Sequence, residues 1–279
     1  MCTIGAVFEP ARGSLVCFKQ CDLPEPRRFL EPARRVGPSG IRYLSFERVG
    51  ASGPWAGVNE RGVCFAGADA YLDGEVMRAT RRHFDLAPGD VLAAYERILS
   101  DSASAAEGAD HMCRFYARHD WPDIVLVADR HEALLVEHCP GLGFEVARLE
   151  AGLLVATNHF RLLPGAVSAA DDPSTHLRLA RAELILGGVP GLAGVAALLA
   201  DQAEGPSERS ICREAERPGD YFTQATFVAR VGPGELECFY LLGGNPLTRP
   251  YLHCRDPFGA ERRRVVASPV HAYDMLGVR

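Results

Sequence analysis

The chain holds a single lysine, Lys19, although lysine and arginine together number 30 among its 279 residues. Asparagine is nearly as scarce, standing only at Asn59, Asn158 and Asn245. Where a residue type is used so rarely, its placement is informative. No apolar run approaches the roughly 18 to 20 residues that a helix needs to cross a bilayer, so no membrane span is expected. The first residues also lack the basic-then-apolar layout of a secretory signal, and a cytoplasmic location is expected. An excess of positive charge is missing as well. The formal net charge is −6, whereas nucleic-acid binders carry a basic face or stripe, so nucleic acid is not an expected partner. The arginine clusters at 27–28, 34–35, 81–82 and 262–264 are short and scattered and read as solvated surface. Nine cysteines, an odd number without a CxxC pair, fit reduced and mostly buried thiols better than a disulfide frame or a zinc site.

Internal repeats, low-complexity tracts and long linkers are absent too, which leaves one domain over residues 1–279. There is no Ser-centred nucleophile elbow, phosphate loop or dinucleotide glycine pattern, and no cofactor is expected. His131 and His138 have opposite parity on a strand, and His111 and His119 stand two helical turns apart, so neither pair shares a metal. Asp171 and Asp172, before Pro173, read as the loop leading into a helix rather than an acid/base pair.

What remains is a chain 47% hydrophobic and 24% charged, enough for a large core. Alternating patterns broken by Gly/Pro turns predict strands at 3–8, 15–22, 42–48, 55–58 and 63–68. Apolar residues at helix-face spacing after Asp90, a candidate N-cap, predict a helix, and a second is expected over about 109–118. Short apolar strands follow at 124–129, 132–138, 144–149 and 153–158. Helices from Ser174 to about Leu186 and from Leu192 to about Ala200 come next, and two strands follow Tyr221. Strands and helices come in blocks without strict alternation, which favours an α+β fold with antiparallel sheets between helices.

Cys2 is the first chemical opportunity. Methionine before so small a residue is usually trimmed, which would give Cys2 a free α-amine. With ordinary pKa values of about 7.7–8.0 for the amine and 8.5 for the thiol, both exchange protons near neutrality. The amine can then serve as base for its own side chain. A hairpin turning at 9–14 gives paired residue numbers summing to 23 or 24, which sets Cys2 across from Cys21 or Asp22. Lys19 and Asp22 then flank the thiol, the carboxylate holding the ammonium and the cation favouring thiolate.

These residues, together with Cys2-Thr3, the run from Lys19 to Leu23 and the run from Gly57 to Val63, resemble the opening of the N-terminal-nucleophile cysteine hydrolases, the group with bile salt hydrolases and penicillin V acylases. The segments from Ala156 to Phe160, Ser210 to Arg213 and Gly243 to Pro246 are more similar to its acyl-coenzyme A:6-aminopenicillanate acyltransferase branch. All three asparagines lie in these blocks. The resemblance implies a four-layer αββα sandwich and a reaction in which Cys2 attacks a linear amide or thioester carbonyl. It implies Asn158 as an oxyanion-hole donor, Lys19 as the cation beside the nucleophile, Asp22 as the carboxylate near the amine, and Arg213 in the catalytic surroundings. Asp69, His159 and Phe160 are the expected substrate contacts, with packing an equal reading of His159. Asp69 stands where relatives carry an Asn or Tyr, and an ionised carboxylate accepts but cannot donate. Gln20 departs from the family's Asn. On their own residues, Asn59 and Asn245 read as turn formers.

The expected activity is an amidohydrolase working through an acyl-Cys2 intermediate once Met1 is removed. The alternatives are an acyltransferase moving an acyl group from a thioester or amide to an amine in natural-product metabolism, and a non-catalytic binding protein on the same fold. The expected partner is a small-molecule amide or thioester, and an assembly of identical copies is compatible with the sequence.

Overall fold

The computed structural model describes residues 1–51, 53–70, 88–166, 173–259 and 267–275. The expectations for residues 81–82, 171–172 and 262–264 lie outside them.

The first hairpin sets the frame. β1 (Cys2–Glu9) and β2 (Ser14–Leu23) pair antiparallel, Cys2 facing Cys21 and Glu9 facing Ser14. The turn closes on Gly13, whose φ of 61° suits a residue without Cβ. Because side chains alternate, Cys2, Ile4, Ala6 and Phe8 share one face with Leu15, Cys17 and Cys21. Val7, Val16 and Phe18 occupy the other. Gly5 lies opposite Phe18, whose ring would come within 2.5 Å of an added Cβ.

Twelve further strands complete two antiparallel sheets. They are β3 (Ala33–Val36), β4 (Arg42–Glu47), β5 (Pro54–Asn59), β6 (Cys64–Asp69), β7 (Asp123–Ala128), β8 (Ala133–Cys139), β9 (Gly143–Leu149), β10 (Leu153–Ala156), β11 (Phe222–Gly232), β12 (Glu235–Leu242), β13 (Tyr251–Cys254) and β14 (Ser268–Val270). One sheet runs β10-β1-β2-β11-β12-β13-β14 and the other β3-β4-β5-β6-β7-β8-β9. The described helices are α1 (Pro88–Asp101), α2 (Ala105–Tyr116), α3 (Pro173–Gly188), α4 (Gly191–Leu199) and the short α5 (Ala272–Met275).

The sheets face each other across an apolar layer in which Phe46 lies 4.9 Å from Phe227 and 5.4 Å from Tyr240, ring centre to ring centre. Helices α1 and α2 cover the outer face of the β3–β9 sheet. Helices α3 and α4 cover the other. Together these make the αββα sandwich.

Several boundaries differ from the sequence reading for local reasons. Asp90 lies inside the first turn of α1, which begins at Pro88. Helix α2 starts at Ala105 rather than 109, because Ser104 accepts a hydrogen bond from Glu107 N while Glu107 accepts one from Ala103 N. These two bonds fix the first turn at Ala105, where the buried stripe of Ala105, Gly108, Ala109, Met112 and Tyr116 begins. Strands β3 and β14 are short edge elements, and the equally short β13 pairs between β12 and β14. The Arg34–Arg35 pair, expected as solvated surface, sits half-buried in β3, with Arg35 paired to Glu47 and Glu96.

Candidate active site

Cys2 begins the second strand from one edge of its sheet, with its side chain in the layer between the sheets and 3% of its surface exposed. Burial alone would raise a thiol's pKa. Here it is lowered to about 6, chiefly by a hydrogen bond from the Cys21 thiol and further by Lys19 and the N-terminal ammonium, against burial and the Asp69 carboxylate. The proton of the pair is held on Cys21, whose pKa is raised well above the ordinary value.

Lys19 is buried and reaches across to the opposite sheet, donating to the carbonyls of Trp55 (3.1 Å) and Gly67, with its ammonium 5.4 Å from the centre of the Trp55 ring. An ammonium is a compact charge with three donors, and two are used by β5 and β6. Among the described residues the cavity beside Cys2 is also lined by Leu23, Arg48, Pro54, Leu92, Asp69 and Tyr95, and its volume is about 40 Å³.

Asp22 departs from its expected place. One residue beyond Cys21, its side chain points to the other face, towards α3 and α4, rather than beside the thiol. There its Oδ1 accepts from Thr223 Oγ1 at 2.8 Å and its Oδ2 lies 3.4 Å from Arg213 Nε. Met1 occupies this side, its ammonium donating to Asp22 O at 2.6 Å and Asp22 N donating back to Met1 O at 2.8 Å. Burial lowers the pKa of that ammonium, opposed by the charges of Cys2 and Asp22.

Arg213 is fully buried in the loop before β11, where it holds Ser210 O (3.0 Å) and Ser174 Oγ (2.9 Å). Ser174, the expected start of this helix, sits in the first turn of α3 as a junction, donating to Glu208 O. Gln20 is buried beside them, its amide donating to Leu199 O and Ile211 O, so it ties β2 to the end of α4 and to the Arg213 loop.

Asn158 follows β10. Its Oδ1 accepts from Cys2 N at 2.8 Å, and its Nδ2 donates to Asp69 O at 2.7 Å. The sequence reading missed Arg178. From α3 it donates to Cys2 O at 2.6 Å, Thr3 Oγ1 at 3.1 Å and Asn158 Oδ1 at 3.1 Å, and it is fully buried. The available signal was its place on the buried face of α3, four residues after Ser174 and four before Ala182.

His159 and Phe160 are not among the residues lining the Cys2 cavity. His159 packs on His176, accepts or donates at Thr157 and Thr175, and has its pKa lowered to about 4, chiefly by burial. Phe160 joins the core between the sheets. Asn59 and Asn245 accept backbone hydrogen bonds from residues two to four ahead, as turn residues do, and Asn59 also donates to Leu99 O and Ser102 O. Among the described residues no group of His, Cys, Asp and Glu is placed to hold a metal. No described helix is long and apolar enough to cross a membrane.

The two-sheet sandwich with its outer helices is the fold of the N-terminal-nucleophile hydrolases, and solved structures of that superfamily match this chain. The N-acylethanolamine-hydrolyzing acid amidase ortholog of Caenorhabditis elegans matches with a TM-score of 0.55 at 13% identity, over 81% of this chain and 91% of its own. A conjugated bile acid hydrolase of Clostridium perfringens matches with a TM-score of 0.53 at 13% identity, over 96% of each. No model of a known protein family matches the chain, and no curated protein matches it by sequence.

Proposed function

We propose that the protein is an amidohydrolase that cleaves a linear C–N bond of a small molecule through an acyl-Cys2 intermediate, after the Met1–Cys2 bond has been cut. The observation that carries this reading is the Cys2 thiol, buried yet acidic, lining a small cavity together with Lys19. The thiolate attacks the substrate carbonyl carbon, and the freed α-amine of Cys2 hands a proton to the leaving nitrogen as the C–N bond breaks. Water, giving a proton to the same amine, then attacks the thioester and releases Cys2. Asn158 uses one Nδ2 hydrogen on Asp69 O, leaving the second for the oxyanion, a contribution of about 3–4 kcal/mol when a donor is aimed at the developing charge. Oδ2 of Asp22 is ion-paired with Arg213 at 3.4 Å but accepts no hydrogen bond, which leaves it able to accept one from an ammonium at Cys2. Arg178 positions the Cys2 carbonyl and Asn158 together. In this reading Asp69 shapes the cavity and orders Asn158 through its backbone carbonyl.

The test is intact-mass analysis with a panel of amides and thioesters. Loss of Met1 and transient acylation at Cys2 are expected. A protein that keeps Met1 throughout and takes up no acyl group would sink the reading and leave a binding role on the same fold. Product analysis with added amines separates hydrolysis from acyl transfer.

A further inference from the structure

Cys2 and Cys21 are directly opposed on neighbouring antiparallel strands. Met1 and Asp22, the next pair outward, exchange both backbone hydrogen bonds. Hydrogen-bonded and non-hydrogen-bonded pairs alternate along such a ladder, so Cys2 and Cys21 form the second kind, with Cα atoms about 4.5 Å apart and side chains at their closest. That spacing falls in the range of about 4.4–6.8 Å found for disulfides. Both residues line the same cavity of about 40 Å³. A space of that size admits a molecule little larger than water.

We propose that Cys2 and Cys21 are a disulfide-forming pair, joined when the protein meets hydrogen peroxide and parted again by a small thiol. The Cys2 thiolate attacks one peroxide oxygen, the O–O bond breaks, and Cys2 becomes a sulfenic acid while the departing hydroxide is protonated to water. The Cys21 sulfur then attacks the Cys2 sulfur. The S–S bond forms, the S–O bond breaks, and the hydroxide leaves as a second water with the proton of Cys21. Two electrons pass from the pair to one peroxide. Two equivalents of a small thiol return both cysteines to thiols and leave as its own disulfide. The acidity of Cys2 supports this order of events, because the thiolate is the form that peroxide oxidises. Closure keeps Cys2 from irreversible oxidation to sulfinic acid and silences any chemistry that uses its thiolate.

This inference does not rest on the hydrolase reading, since the bond is read directly. The protein is treated with one equivalent of peroxide, unfolded, alkylated and digested without reductant. Peptides carrying Cys2 and Cys21 are expected to appear cross-linked, with only these two of the nine cysteines escaping alkylation, and dithiothreitol is expected to restore both. In Cys21→Ser, with circular dichroism confirming the fold, sulfinic acid at Cys2 is expected to rise at least about tenfold, because the sulfenic acid has no resolving partner. Sulfinic acid at Cys2 of the unaltered protein with Cys21 still free, or a cross-link to another cysteine, would overturn the proposal. A cross-link without turnover of any amide would leave it standing and count against the hydrolase reading.

Discussion

Two groups of cysteines face the layer between the sheets, both buried, and only the second holds an acidic thiol. Cys17, Cys238 and Cys254 lie in one row across β2, β12 and β13, with Ala229 of β11 between the first two, and Cys64 approaches Cys17 from the opposite sheet. Cys238 has its pKa raised well above the ordinary thiol and Cys254 is raised too, both chiefly by burial, while Cys64 is raised well above it chiefly by a hydrogen bond with Cys17 and then by burial. Cys2 and Cys21 share the same layer, four residues further along β2 from Cys17, yet Cys2 falls to about 6. Burial therefore disarms Cys238 and Cys254, whereas at Cys2 the lost hydration is offset. At Cys2 the offset is a donor thiol, an ammonium carried in from β2 and the positive N-terminus.

The hardest break of this contrast is Cys2→Ala, which is expected to abolish acyl uptake and to lower any amide turnover by about a thousand-fold or more, since loss of a nucleophile removes the covalent route. Turnover by the variant at the original rate would end the argument for Cys2. Next comes pH. Alkylation of Cys2 should rise through a midpoint near pH 6, because below it the sulfur is protonated, and Lys19→Ala should move that midpoint upward. At any pH well below the midpoint, thiolate falls about tenfold for every step of one pH unit that the midpoint climbs. Lys19→Arg should lose less than Lys19→Ala, and equal loss would assign the effect to shape instead of charge. Arg178→Met removes donors from Cys2 O and Asn158, and denaturant unfolding should show a loss of about 1–3 kcal/mol, the usual cost of stranding buried acceptors. In the inert group, Cys238→Ala should cost about 1 kcal/mol through a small cavity, and the Cys2 alkylation profile should stay where it was.

The smallest expected effect concerns Asp123, buried under Tyr95 and Tyr116 with both hydroxyls donating to Oδ2 at 2.5 Å. Its pKa is raised to about 7, chiefly by burial. A carboxyl with a raised folded pKa holds its proton longer in the folded state, so its cost is absent below about pH 4 and grows as pH rises towards 7. Asp123→Asn should therefore narrow the difference in Tm between pH 5 and pH 8. A difference as wide as in the parent would show that Asp123 is not the group responsible.

The pairing of Cys2 with Cys21 was legible because a hairpin's register follows from its turn, and Lys19 followed from it by parity. The same parity puts Asp22 on the opposite face, a point the sequence reading passed over when it set both residues beside the thiol. Arg178 was less legible because its partners come from residues 2, 3 and 158, and no local pattern announces a contact made across that separation. Strands β13 and β14 escaped notice for a related reason. Strands of three or four residues carry too few alternations to stand out, and what fixes them is the neighbour already in place.

Lys19 is anchored on one sheet and bonded to carbonyls of the other. The acidity of Cys2 is thus tied to the separation of the two sheets. Anything that lets them drift apart draws the ammonium away and returns the sulfur to its protonated form, before the fold as a whole gives way. The thiol is in effect a strain gauge for the sandwich, and its reactivity reports whether the two halves of the molecule are still closed on one another.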